Sequence, residues 1–174
     1  MVPQMPRDMR KAFAIVGSAV FLVIAPGFVS AFVPWLISRW RFQSAFLGWL
    51  PMRFLGGVLM TAGAVALLDS FARFALQGVG TPAPVFPTRH LVVTGLFRYV
   101  RNPMYLAVVS AIVGQGLLLS NSTLLAYGGI VWLLFHVFVR GYEEPTLRTT
   151  FGSEYKAFSA GVPRWIPRLT PWGR

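Results

Sequence analysis

Glu143 and Glu144 are neighbours in a chain with only five acidic residues against sixteen Lys and Arg. Adjacent carboxylates raise each other's pKa unless a cation lies close. The doublet therefore calls for a cationic partner, either protein arginine or a positively charged ligand. His136, Arg140, Glu143 and Glu144 follow i, i+4, i+7, i+8 spacing, so a helix running through them places all four on one edge. An imidazole, a guanidinium and two acids on one edge form a polar cup for a charged small molecule. In the competing reading, Arg140 ends a membrane segment and both acids are solvated. A second grouping is Arg98 and Arg101 ahead of Pro103. A helix start there presents free N–H groups and the positive end of the helix dipole, which suits an anionic group. A positively charged stop with interfacial aromatics accounts for the same residues equally well. Asp69 and Arg73, four apart, are expected to pair on one helical face. An acid within a span is also a site candidate.

The elements that must hold these groups are membrane helices. The composition is 55% hydrophobic and 12% charged, with a mean hydropathy of +0.61, values of the membrane class. At 174 residues the chain is one domain by length. The absence of cysteine excludes disulfides, thiolate metal sites and cysteine nucleophiles, and two histidines are too few for a histidine-built metal cluster. The formal charge of +11 rests on 14 Arg and 2 Lys. In so apolar a chain that excess reads as cytoplasmic loops and anionic lipid headgroups, with no nucleic-acid partner.

Four spans are expected. Ala12–Val33 is the first, a retained helix bent near Pro26-Gly27 rather than a cleaved signal segment. The second runs from about Phe54 to Phe74. Asn102–Val139 contains no Asp, Glu, Lys or Arg over 38 residues and is broken only by Ser120-Asn-Ser-Thr123. It reads as a tight hairpin, Pro103–Leu119 and Leu124–Val139, with Pro103 at a helix start. Gln115, inside the first arm, is expected to serve helix packing. Trp and Arg mix in Pro34–Arg41 and Phe46–Pro51, the chemistry of the headgroup zone. Residues 77–87 are a Gly/Pro linker. Leu147, Phe151, Tyr155 and Phe158 share one face of a short amphipathic helix, lying on the membrane or on the catalytic face. The charge asymmetry puts both termini in the cytoplasm, giving a multi-pass protein of the inner membrane. The organisation expected is an all-α integral membrane protein. Residues 1–76 supply N-terminal transmembrane helices, and residues 77–174 a catalytic region with a helical hairpin and a cytoplasmic amphipathic helix.

Leu91-Val-Val-Thr-Gly-Leu-Phe-Arg-Tyr-Val-Arg-Asn-Pro-Met-Tyr105, Glu143-Glu144, Phe151-Gly-Ser-Glu-Tyr155 and Val162-Pro-Arg-Trp-Ile-Pro167 together resemble the isoprenylcysteine carboxyl methyltransferase family, itself related to the membrane phospholipid N-methyltransferases. The resemblance covers residues 80–168. It implies an integral-membrane methyltransferase that uses S-adenosylmethionine without a Rossmann domain and acts on a lipophilic or lipid acceptor. Residue by residue, it implies cofactor contacts from Leu91, Val92, Val93, Gly95 and Phe97, and from Asn102, Pro103 and Tyr105 at the helix start. Glu143 and Glu144 correspond to the acidic pair that holds polar parts of the cofactor, and Arg140 to an arginine that reaches the substrate. Asn102 stands where the family usually has His, and Phe97 where it usually has Tyr. Competing readings are a membrane reductase of the sterol-reductase type, using NADPH, and a non-catalytic membrane scaffold.

Overall fold

A computed structural model describes residues 7–44, 50–77 and 90–173, with side chains from residue 15 onward in the first helix. The Gly/Pro stretch at 78–89, the aromatic stretch at 45–49 and the Arg7, Arg10, Lys11, Arg89 and Arg174 side chains lie outside the described residues. Among the described residues the secondary structure is entirely helical. Helix α1 (Arg7–Leu22) runs through a π-helical stretch (Val23–Phe32) into α2 (Val33–Ser38). There follow α3 (Leu50–Gln77), a 3-10 turn (Gly95–Arg98), α4 (Pro103–Leu119) and α5 (Ser122–Phe138). A π turn (Val139–Glu143) then leads into α6 (Glu144–Gly161).

Three described segments are long and apolar enough to cross a membrane: Ile15–Ser38, Leu50–Leu76 and Ser122–Gly161. The 17-residue α4 is a shorter apolar helix, at the low end of what spans a bilayer. Together they make the expected four-helix membrane architecture. Ser122–Gly161 is 40 residues, kinked at Gly152 where φ is +50°, and at helical rise would extend about 60 Å against a hydrocarbon core of about 30 Å. Its charged residues all follow Val139. The spanning part is therefore Ser122–Val139, and Arg140 onward lies beyond the hydrocarbon.

The helix pair α3–α4 is the tightest in the bundle because both helices present glycine or alanine at the crossing. A Cβ on Gly56 or Gly63 would fall on the α4 backbone around Gly114 and Ala111, and a Cβ on Gly114 would fall on Met60 of α3. Small residues are how membrane helices gain van der Waals contact when lipid tails offer no hydrophobic drive. The core clusters Leu67 and Phe71 with Ala107, Val108, Ile112 and Val131.

The hairpin expected from the uncharged run is present, with α4 ending at Leu119. Ser120 takes the left-handed conformation (φ 56°) and Asn121 caps α5, its Oδ1 accepting from Leu124 N at 3.0 Å. At Pro26, where the first helix was expected to bend, the backbone widens into π geometry. A proline ring clashes with the carbonyl four residues earlier, and the wider turn relieves it. Carbonyls of this stretch find partners on other helices: Gln115 Nε2 donates to Ser30 O at 2.7 Å and Tyr127 OH to Val29 O at 3.0 Å. Gln115 thus does the packing work expected of it. Asp69 and Arg73 pair at 2.8 Å as anticipated.

The amphipathic face of α6 is buried against protein. Tyr155 and Phe158 form a cluster with Val162, with Leu147, Phe151, Leu91, Val93 and Trp172 packed around it. The apolar stripe of α6 therefore clamps the extended segment that precedes the 3-10 turn.

Candidate active site

Two elements converge at the charged end of the bundle: the start of α4 and the π turn that joins α5 to α6. Pro145 has no N–H, and its ring opposes an α-helical carbonyl at residue 141. The helix accommodates this by widening over Val139–Glu143. That widening changes the register, so the four-residue edge His136, Arg140, Glu143, Glu144 does not act as one cup. His136 Nδ1 accepts from Trp165 Nε1 at 3.0 Å. Arg140 is exposed. The two glutamates part company.

Glu144 is buried in an arginine cage. Arg164 approaches both oxygens, Nε to Oε1 at 2.6 Å and Nη2 to Oε2 at 2.9 Å. Arg101 Nη1 donates to Oε1 at 3.0 Å, and Arg148 stands 4.0 Å away one helical turn on. Burial by itself pushes this carboxyl up, but the Arg164 hydrogen bond and the charges of Arg101, Arg164 and Arg148 outweigh it and hold the pKa below its ordinary value.

Glu143 turns the other way, into an apolar cavity of about 220 Å³. Tyr105 OH donates to Glu143 Oε2 at 2.7 Å, and the Tyr105 ring rests on Phe135 with centroids 4.6 Å apart. Burial raises the Glu143 carboxyl; the Tyr105 hydrogen bond opposes this, and the nearby Glu144 charge adds to it. The net direction is upward. Adjacent in sequence, the two acids are pushed to opposite sides of the ordinary carboxylate value.

The cavity is walled by Phe21, Pro26 and Val29 of the first helix, Phe71 and Phe74 of α3, Phe97, and Phe135 and Phe138 of α5. Its polar rim is Arg101, Asn102, Tyr105 and Glu143. Within that rim Arg101 Nε is buried with no hydrogen-bond partner among the described residues. An unsatisfied buried donor of this kind costs about 1–3 kcal/mol, which a bound acceptor would recover. Asn102, placed where an imidazole was expected from the resemblance, ties down the tail: its Nδ2 donates to Arg164 O at 3.1 Å. Pro103 sits at the first turn of α4 and also lines the cavity.

The Leu91–Phe97 segment divides between two hollows. Phe97 reaches the apolar cavity. Leu91, Val93 and Gly95 border a more polar hollow of about 600 Å³ with Arg73, Arg98, Glu154 and Trp172, and Val92 is buried. Gly95 takes φ +54°, and a side chain there would collide with the Arg73 guanidinium, so Arg73 seats this loop against α3. A larger hollow of about 1460 Å³ along the outer face of α3 is open and apolar and shares no lining residue with the Glu143 cavity. The structure thus gathers Phe97, Asn102, Pro103, Tyr105 and Glu143 on one cavity, with Glu144 bracing it from behind and Arg140 outside. Sequence reasoning placed Arg101 at an anion-favouring helix start or, equally, in a positive stop, and gave it no carboxylate partner. Its place behind Glu144 depends on a contact across 43 residues that no local spacing signals.

A sequence profile of the phospholipid methyltransferase family matches residues 51–154, more than half of the chain. A protein-S-isoprenylcysteine O-methyltransferase from Schizosaccharomyces pombe is 36% identical over 83 residues, which is 46% of this chain and 34% of that protein. The match thus spans about a third of that relative's length. No solved structure matches.

Proposed function

The chain belongs to the phospholipid methyltransferase family, and from that premise we propose that it is a membrane methyltransferase using S-adenosylmethionine to methylate a lipophilic acceptor that enters from the bilayer. The observation that carries the reading is Glu143, held by Tyr105 at the wall of an apolar cavity beside the unpartnered Nε of Arg101. This donor set fits the charged end of the cofactor, which has a sulfonium, an ammonium and a carboxylate. The acid suits either cation, and Arg101 Nε suits the carboxylate. A cavity of about 220 Å³ takes that end of the molecule rather than the whole of it. Leu91, Val92, Val93 and Gly95 are the proposed support for the remainder, with Phe97 at the boundary. Asn102 and Pro103 complete the wall.

When bound, the cofactor supplies a methyl group on a positively charged sulfur, open to in-line displacement. The residues of the chain do the rest. Glu143 offers negative charge where little water competes, so its attraction for a cation is stronger than in bulk. Tyr105 fixes the carboxylate's direction. Glu144 offsets part of the charge of Arg101 and Arg164 and holds both in place behind the cavity. The phenylalanine walls exclude water and align an apolar acceptor tail, and such positioning can contribute about 7–11 kcal/mol to the rate. A carboxylate acceptor releases no proton. An amine acceptor releases one, and Glu143, with its raised pKa, is the base within reach. Arg140, exposed at the rim, is proposed to contact an anionic part of the acceptor at the bilayer surface. The Arg-rich end is assigned to the cytoplasmic side of the inner membrane by the positive-inside rule.

Titration calorimetry of S-adenosylmethionine into the purified protein tests the reading. Binding by the wild type that weakens in Glu143→Gln supports it; no heat from the folded wild type would sink it.

A further inference from the structure

Residues 163–173, beyond α6, form a tail with no regular secondary structure that is nonetheless tightly held. Arg101 N donates to Pro163 O at 2.9 Å, Arg168 N to Tyr99 O at 2.9 Å and Trp172 N to Arg98 O at 2.8 Å. Its cations face inward. Arg164 pairs with Glu144, and Arg168 Nη1 donates to Gly161 O. Its two tryptophans pack against protein, but its aliphatic side chains face outward: Ile166 is 78% exposed and Leu169 100%. This is the reverse of a segment bathed in water, where arginines solvate and Leu and Ile turn in. Since the backbone is pinned at three points, the exposure does not come from a loose end.

One further contact says what covers the patch. Trp165, one residue before Ile166, stacks on His136 and lies 6.3 Å between ring centroids from Trp132. Trp132 belongs to the apolar span of α5, about 12 Å along the helix from Arg140, and its neighbour Leu133 is 55% exposed on the same helix. The outward face of the tail is therefore continuous with the lipid-facing surface of α5. Trp is the side chain most at home at that boundary, with an apolar ring and a single donor.

We infer that Ile166 and Leu169 are seated in the bilayer interface at the C-terminal end of the bundle, so that the tail is a membrane anchor tied to the arginine cage of Glu144. Arg164 belongs to this tail, and it also completes the cage around Glu144 and accepts from Asn102. The anchor thus fixes the height of the site relative to the headgroups. The inference stands on the tail and its contact with α5 and is independent of the proposed reaction.

The chain has no cysteine, so Leu169→Cys and Ile166→Cys each accept a single environment-sensitive NBD probe at an exposed position. The full chain is reconstituted in vesicles of equal parts phosphatidylcholine and phosphatidylglycerol. Emission from both probes should be blue-shifted from that of the free probe in water. It should lose most of its intensity to lipids with a spin label near the headgroup end of the acyl chain, and be protected from aqueous iodide. Iodide quenching equal to that of the free probe, with no effect of the spin-labelled lipids, would overturn the inference. So would protection from both quenchers that grows with the protein-to-lipid ratio, since that marks contact between copies of the chain.

Discussion

The cage around Glu144 and the cavity wall at Glu143 are separated by one peptide bond, yet they solve opposite electrostatic problems. In the cage a buried carboxylate is over-supplied with cations, and its charge is locked. At the wall the carboxylate has a tyrosine hydroxyl and aromatic surroundings, and its charge is costly until a cation arrives. On the proposed reading, the contrast separates structural charge from functional charge. Ionic groups whose partners are all protein hold the shape, and the group left under-compensated is the one available to a ligand.

The largest test of this comparison is Glu144→Ala. It leaves Arg101 and Arg164 facing each other without their shared acid, and removing one partner of a buried pair costs about 3–5 kcal/mol. A large drop in thermal midpoint in detergent, with loss of folded protein, is expected. A Glu144→Ala protein as stable as wild type but unable to bind cofactor would reverse the assignment of the two acids. Next is Glu143→Gln. Folding should be unaffected or slightly improved, because a buried carboxylate is replaced by a neutral amide. Cofactor affinity should fall roughly 10–100-fold, the loss of one charge-assisted contact of about 1.5–3 kcal/mol, measured by calorimetry. Tyr105→Phe is smaller, about 1 kcal/mol in affinity. It carries a sign: the Tyr105 hydrogen bond lowers the Glu143 pKa, so removing it should move the pH profile of cofactor binding to higher pH.

The smallest and most general effect is pH dependence. Glu144 titrates below its ordinary value when folded. Its contribution to stability is therefore present above the unfolded carboxylate pKa and is lost as pH falls through the depressed folded value. Glu143 titrates above its ordinary value, so its contribution runs the other way, present at low pH and lost as pH rises through the raised value. Thermal midpoints across the acid range should show the Glu144 limb disappear in Glu144→Gln and the Glu143 limb disappear in Glu143→Gln. A single acid limb unchanged by either substitution would show that the two carboxylates share one environment.

Much of this was legible in the residues. Thirty-eight uncharged positions around Ser120-Asn121 leave little choice but a hairpin, since backbone groups in lipid must be satisfied within helices. The Asp69–Arg73 pair followed from spacing alone, because four residues is one helical turn. The interior glycines of α3 and α4 gave no comparable signal. Gly56 and Gly63 mark a close crossing only once Gly114 and Ala111 stand opposite.

By itself the sequence determined that the chain is helical and membrane-embedded, where the hairpin turns, and that an acidic doublet in an arginine-rich protein is where a cationic partner is to be sought. Those properties depend on hydropathy, helical period and charge count, all local or additive along the chain. Only the tertiary structure decided which acid meets protein and which meets a cavity. That choice rests on the π turn that Pro145 imposes and on Arg101, Arg164 and Tyr105 arriving from 43, 20 and 38 residues away. No periodicity within one helix encodes contacts made between distant segments.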